Sequence, residues 1–134
     1  MIFKCLDGTE TTLNIQSIHY PVRKKEECKS NLQYEVGERL SKLFPQFSLL
    51  EEFTIPKTRL RLDFFLPQIK IAVEVQGAQH STWNSFFYNT VGDFRRAQQR
   101  DEEKVLWCKL NDIQLIQVES EEDVRDKISK LLTP

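Results

Sequence analysis

Two apolar runs, Leu60 to Leu66 and Ile69 to Gln76, stand almost back to back in RLRLDFFLPQIKIAVEVQ. Their length and their Phe, Ile and Val content suit strands, and the Pro-containing break between them suits a tight connection. With Pro67 to Lys70 as the loop, Leu66 faces Ile71 and Asp63 faces Glu74. Strand alternation then sets Arg61, Asp63 and Phe65 on one face with Ala72, Glu74 and Gln76, and leaves Leu62, Phe64, Val73 and Val75 on the other. Opposed carboxylates inside apolar strands need compensation, because like charges facing across strands destabilise and desolvated carboxylates are costly. A divalent cation would offset both, and Mg²⁺ accepts two hard oxygen donors while keeping positions for water and phosphate. The bland alternative is a half-exposed hairpin whose polar face meets water, with Arg61 pairing Asp63.

The rest of the chain points to one domain. Its 134 residues, 40% hydrophobic, suffice for a single core and leave little length for a second. With 19 Lys plus Arg against 20 Asp plus Glu, the net charge of -1 gives no overall basic field, so any DNA contact must come from local patches. Cys5, Cys28 and Cys108 are far apart with no CxxC pair, which argues for free, packing thiols in a reducing compartment rather than a zinc site. No signal peptide and no apolar run near the ~18 residues of a membrane span is visible, so a soluble, cytoplasmic protein is expected.

Residues 1–29 read as a β-hairpin around Asp7-Gly8 followed by a polar connection. The basic run Arg23, Lys24 and Lys25 in that connection is either a solvated linker or a phosphate-touching arm. Residues 30–134 form the main domain. From Ser30, a suitable N-cap, Leu32, Val36, Leu40 and Leu43 recur at helical steps until Pro45, with Gln33 close to the apolar face and Glu35 towards its edge. LLEEFTIP predicts a short strand; a long helix from about Asp93 to about Leu110, a strand IQLIQV and a Ser120-capped helix complete the chain. This order predicts an α/β (α+β) domain with one mixed sheet flanked by helices.

On the long helix, Phe94, Ala97, Asp101, Val105 and Cys108 form one stripe, so a third acid, Asp101, points inward. Arg100 and Lys104 lie beside it, and a structural ion pair explains Asp101 as well as a role at the site does. His80, just past the second strand, suits a general acid or base or a phosphate donor, although a lone loop histidine is more often incidental.

At these residues the sequence resembles the PD-(D/E)XK nuclease superfamily, the restriction-endonuclease-like fold, in particular its small Vsr and EDxHD-type members and related phage proteins. The resemblance runs from Ser30 to about Glu119. It comprises the capped helix, Arg59-Leu-Arg-Leu-Asp63, Ile71-Ala-Val-Glu74-Val-Gln76-Gly77 with Gln79-His80, Arg100-Asp101 with Lys104, and the strand beginning Asn111-Asp-Ile. It implies Mg²⁺-dependent phosphodiester hydrolysis, with Mn²⁺ as a substitute, Asp63 and Glu74 as metal ligands, and His80 and Asp101 as the H and D of EDxHD. A helical acid often joins such sites; here Gln33 holds the inward position and Glu35 lies nearby. Gln76 departs from the family's Lys, so positive charge must come from elsewhere, with His80, Arg61 and Lys104 as candidates. The resemblance also suggests a phage or mobile-element origin, and hence the host cytoplasm.

Two functional classes follow as expectations. The first is a Mg²⁺-dependent DNA endonuclease of nicking, junction-resolving or homing type. Its specificity would come from DNA structure, homodimerisation or the N-terminal hairpin, and Arg61, Arg95, Arg96, Arg100, Lys104, Lys24 and Lys25 are candidate phosphate contacts. Trp83, Phe86, Phe87 and Tyr88 either stack on bases or pack over the sheet. The second is a nuclease fold without catalysis that binds DNA or serves in an assembly, which Gln76 and the net charge favour. Nothing in the sequence separates DNA from RNA as substrate.

Overall fold

The structure, a computed structural model, describes residues 1–15, 20–22, 31–75 and 90–132, the side chains of residues 121 and 129–132 excepted. Strands β1 (Ile2–Lys4) and β2 (Glu10–Thr12) pair antiparallel across a turn in which Gly8 takes a left-handed φ of 88°. Helix α1 (Asn31–Leu43) follows. Strands β3 (Leu50–Thr54), β4 (Arg61–Leu66) and β5 (Ile71–Val75) then form an antiparallel meander. Helix α2 (Val91–Leu110) leads to β6 (Gln114–Val118), which lies parallel to β5, and α3 (Glu121–Leu132) ends the described chain. The four-stranded mixed sheet, in the order β3-β4-β5-β6, and its helices make an α+β domain.

The apolar periodicity accounts for two cores, one on each face of the sheet. Val36 and Leu40 of α1 and Val124 and Ile128 of α3 bury against Phe64, Leu66, Val73 and Ile116. On the opposite face Trp107 and Cys108 of α2 join Leu50, Phe53, Phe65, Ala72 and Phe3. The hairpin is therefore part of the core rather than an appendage: Phe3 stacks 5.5 Å from Trp107. Asn111, at the end of α2, accepts from the Lys4 amide at 2.7 Å and donates to its carbonyl at 3.0 Å, so this side chain completes the exposed edge of β1.

Two local expectations change. Leu62 joins the Phe65 cluster instead of the Phe64 cluster. The break in alternation is shared with β3, where Glu52, the residue facing Asp63, takes a left-handed φ of 56°. That turn interrupts strict alternation, so Leu50 and Phe53, three residues apart, serve the same core. On α2 the deepest residues are Trp107 and Cys108, while Phe94, Ala97, Asp101 and Val105 are half-buried. Only the last two turns of that helix press on the sheet, so its buried face centres on the line from Lys104 to Cys108. The helix starts two residues before the expected Asp93, because Thr90 caps it by accepting from the Asp93 amide.

Contact between α1 and the sheet is close at Gly37. A Cβ there would lie 3.1 Å from Phe64 Cε1 and Cζ and 3.5 Å from Val22 Cγ1. Alanine gains about 1 kcal/mol of helix propensity. Phe64, however, is fully buried and held from both sides, and overpacking costs about 1–3 kcal/mol. Gly37→Ala is expected to lower stability by about 1 kcal/mol net in denaturant titration, with the slope unchanged; a stabilised variant would contradict this packing.

Candidate active site

The hairpin register is the one expected from the sequence. Leu66 pairs Ile71, Phe65 pairs Ala72 and Phe64 pairs Val73, so the next step sets Asp63 opposite Glu74. At that step the backbone ladder gives way to a side chain: the Val75 amide donates to Asp63 Oδ2 at 2.8 Å. Asp63 thus fixes the end of β5 as well as presenting a carboxylate. Glu74 is buried, 6% exposed, on the face that α2 covers.

Lys104 reaches this pair from α2. Its Nζ lies 2.9 Å from Glu74 Oε1, with 19% of the lysine side chain exposed. The ammonium is thus the partner of that buried oxygen. Burial and then the neighbouring Asp63 carboxyl push the Glu74 carboxyl up to about 9, against the pull of Lys104. Lys104 is itself raised, because Glu74, Asp63 and Asp101 together outweigh its own desolvation. The Cys108 thiol beneath is pushed up to about 12, by burial first and by Glu74 second, which makes it an inert packing group.

Other candidates are placed as follows. Gln33 is the inward residue of its turn, 4% exposed, and its Nε2 donates to Glu51 Oε2 at 3.0 Å. Glu35 is exposed on α1. Asp101 is half-buried and contributes to the field around Lys104. Arg61 is exposed and pairs with Glu52 at 3.9 Å rather than with Asp63. Arg95, Arg96 and Arg100 lie exposed on α2; Arg96 pairs with Asp93, and Arg100 Nε donates to the Arg96 carbonyl. Gln76, His80, the aromatic stretch from Trp83 to Tyr88, Lys24, Lys25, Ser30 and Cys28 lie outside the described residues.

Two acids went unnoticed in the sequence. Glu51 and Glu52 in β3 are 3% and 7% exposed. The pairings on either side of Glu52 put it opposite Asp63, so Glu52, Asp63 and Glu74 fall on one line across three strands. The signal was present in LLEEF, where two acids interrupt an apolar run as Asp63 and Glu74 do. Sparsely populated backbone conformations gather at functional sites, and Glu52 is one.

Among the described residues no group of three or more His, Cys, Asp or Glu side chains is placed to hold a metal ion. Mg²⁺ needs fewer protein ligands than a closed cage, one or two carboxylates plus water and substrate oxygens. Asp63 and Glu74 fit that arrangement: they are hard oxygen donors and they stand opposed.

No family model and no solved structure matches the chain. Uncharacterized protein 307L of Invertebrate iridescent virus 6 is 39% identical over 59 residues, which is 44% of this chain and 30% of that protein. Uncharacterized protein 033L of Invertebrate iridescent virus 3 is 38% identical over 64 residues, 48% of this chain and 33% of that protein. The matches thus cover about a third of the length of these viral relatives. Among the described residues, no helix is long and apolar enough to cross a membrane.

The raised Glu74 carboxyl has a consequence for stability. Between its ordinary 4.5 and about 9 the folded chain binds a proton that the unfolded chain releases, so stability falls as pH rises through that window. Lys104, raised above 10.5, stays protonated in both states there. Metal-free unfolding measured from pH 5 to 9 should lose up to about 1.4 kcal/mol per pH unit from this group, and Glu74→Gln should flatten the slope. Equal slopes in parent and variant would show that Glu74 is not the titrating group.

Proposed function

We propose that this protein is a Mg²⁺-dependent DNA endonuclease. The observation that carries the reading is the Asp63–Glu74 opposition, with a half-buried lysine at its edge, at the positions where the PD-(D/E)XK resemblance calls for metal ligands. As a structural feature alone this grouping is costly: two carboxyls face each other and one is driven towards its neutral form. As a site it is economical. Asp63 and Glu74 would hold the ion, which when bound orients the attacking water and offsets charge on the phosphate. Asp63 is kept in place by the Val75 amide, and α2 supplies the positive charge that Gln76 does not bring. The exposed Arg95, Arg96 and Arg100 on that helix supply backbone contacts to DNA.

A second reading has its own observation. Lys104 pairs with Glu74 at 2.9 Å, and a nuclease fold retained for DNA binding or assembly would use such a lysine in place of a metal ion.

Incubation with labelled single-stranded, duplex, nicked and four-way-junction DNA, with and without Mg²⁺ or Mn²⁺, separates the two. Metal-dependent cutting is expected, and Asp63→Asn and Glu74→Gln should each lower it by about 100-fold or more. Asparagine is the informative change at 63, since it still accepts from the Val75 amide, whereas alanine orphans that donor at a cost of about 1–3 kcal/mol. Binding without cutting on every substrate would favour the second reading.

A further inference from the structure

We infer that Lys104 and the divalent cation compete for Glu74, so that metal entry releases a half-buried ammonium into the site, where it becomes the charge-stabilising group for the phosphate. This rests on the metal site proposed above. Its geometric basis is the pairing itself: Nζ sits 2.9 Å from Glu74 Oε1, within a side chain only 19% exposed. A divalent cation on the Glu74 carboxylate and an ammonium 2.9 Å from its Oε1 repel each other at short range, so each weakens the other's hold. The contact is exchangeable, being made by an ammonium at the end of a flexible, partly exposed four-carbon stem.

The released ammonium also has somewhere to go. Asp101 lies three residues before Lys104 on α2 and already acts on it, as does Asp63. A four-carbon stem anchored beside Trp107 and Cys108 can swing between these carboxylates while its base stays fixed. In the metal-free protein the lysine would thus sit on Glu74 and, where that carboxyl is ionised, lessen its repulsion with Asp63. In the loaded protein the same residue would face the substrate, supplying the charge absent at position 76.

Lys104 reactivity towards an amine-acylating reagent, followed by mass spectrometry of the whole chain, tests this beside calorimetric titration with Mg²⁺ and Mn²⁺ alone. Lys104 should be protected without metal and acylated about tenfold faster at saturating Mg²⁺, within the usual range of coupling between sites. Asp63→Asn should abolish that difference. In the calorimeter at about pH 9, Lys104→Met, which keeps the stem, should bind Mn²⁺ about tenfold tighter than the parent. It should also cut DNA more slowly despite the tighter metal. Metal that binds while Lys104 stays equally protected, and that binds Lys104→Met no tighter, overturns the exchange but leaves the metal site standing. No metal binding to parent or variant overturns both.

Discussion

Two carboxyl groups face each other across neighbouring strands, and much of this domain is arranged around the cost of that meeting. The antiparallel register of β4 and β5 makes it unavoidable: once Leu66 pairs with Ile71, Asp63 must meet Glu74. The strands answer it locally by turning the Val75 amide from the ladder to Asp63. The third layer answers it with Lys104, carried by a helix whose last two turns are pinned by Trp107 and Cys108. Even so, burial and Asp63 prevail over the lysine and push Glu74 up. An arrangement that remains short of positive charge after its own lysine is counted is the physical basis for proposing a metal ion there.

The second core makes this possible. A carboxylate such as Glu74 stays buried because α2 is clamped by aromatic contacts that reach into the hairpin, with Phe3, Phe53, Phe65 and Trp107 in mutual contact. Asn111 ties the end of α2 to β1 through two backbone bonds, and its amide also donates to the Trp107 carbonyl. The hairpin therefore steadies the helix that delivers Lys104, which links a segment far from the carboxyls in sequence to their geometry.

The central hairpin, α1 and the β6–α3 end could be read from the chain because their signals are periodic and local. Alternation set the register of Asp63 against Glu74, and a 3.6-residue spacing put Gln33 inward. What could not be read depended on partners distant in sequence. Trp107 and Lys104, rather than Asp101, define the inner line of α2, because only the end of that helix meets the sheet. The left-handed Glu52 has no composition signal, and beside it Leu62 lies in the other core and Arg61 pairs with Glu52. Adjacent acids in a strand suggest one exposed side chain, whereas here both Glu51 and Glu52 are buried because both faces of β3 are covered.

The central claim is that Asp63 and Glu74 together hold a divalent cation. Diffraction from crystals soaked in Mn²⁺, with data collected at the manganese absorption edge, addresses it without reference to any substrate. The account predicts an anomalous peak between the two carboxylates, with the Lys104 ammonium moved away from Glu74. Saturating Mn²⁺ that leaves no peak there, with Lys104 still seated on Glu74, would contradict it and leave the grouping a buried ion pair.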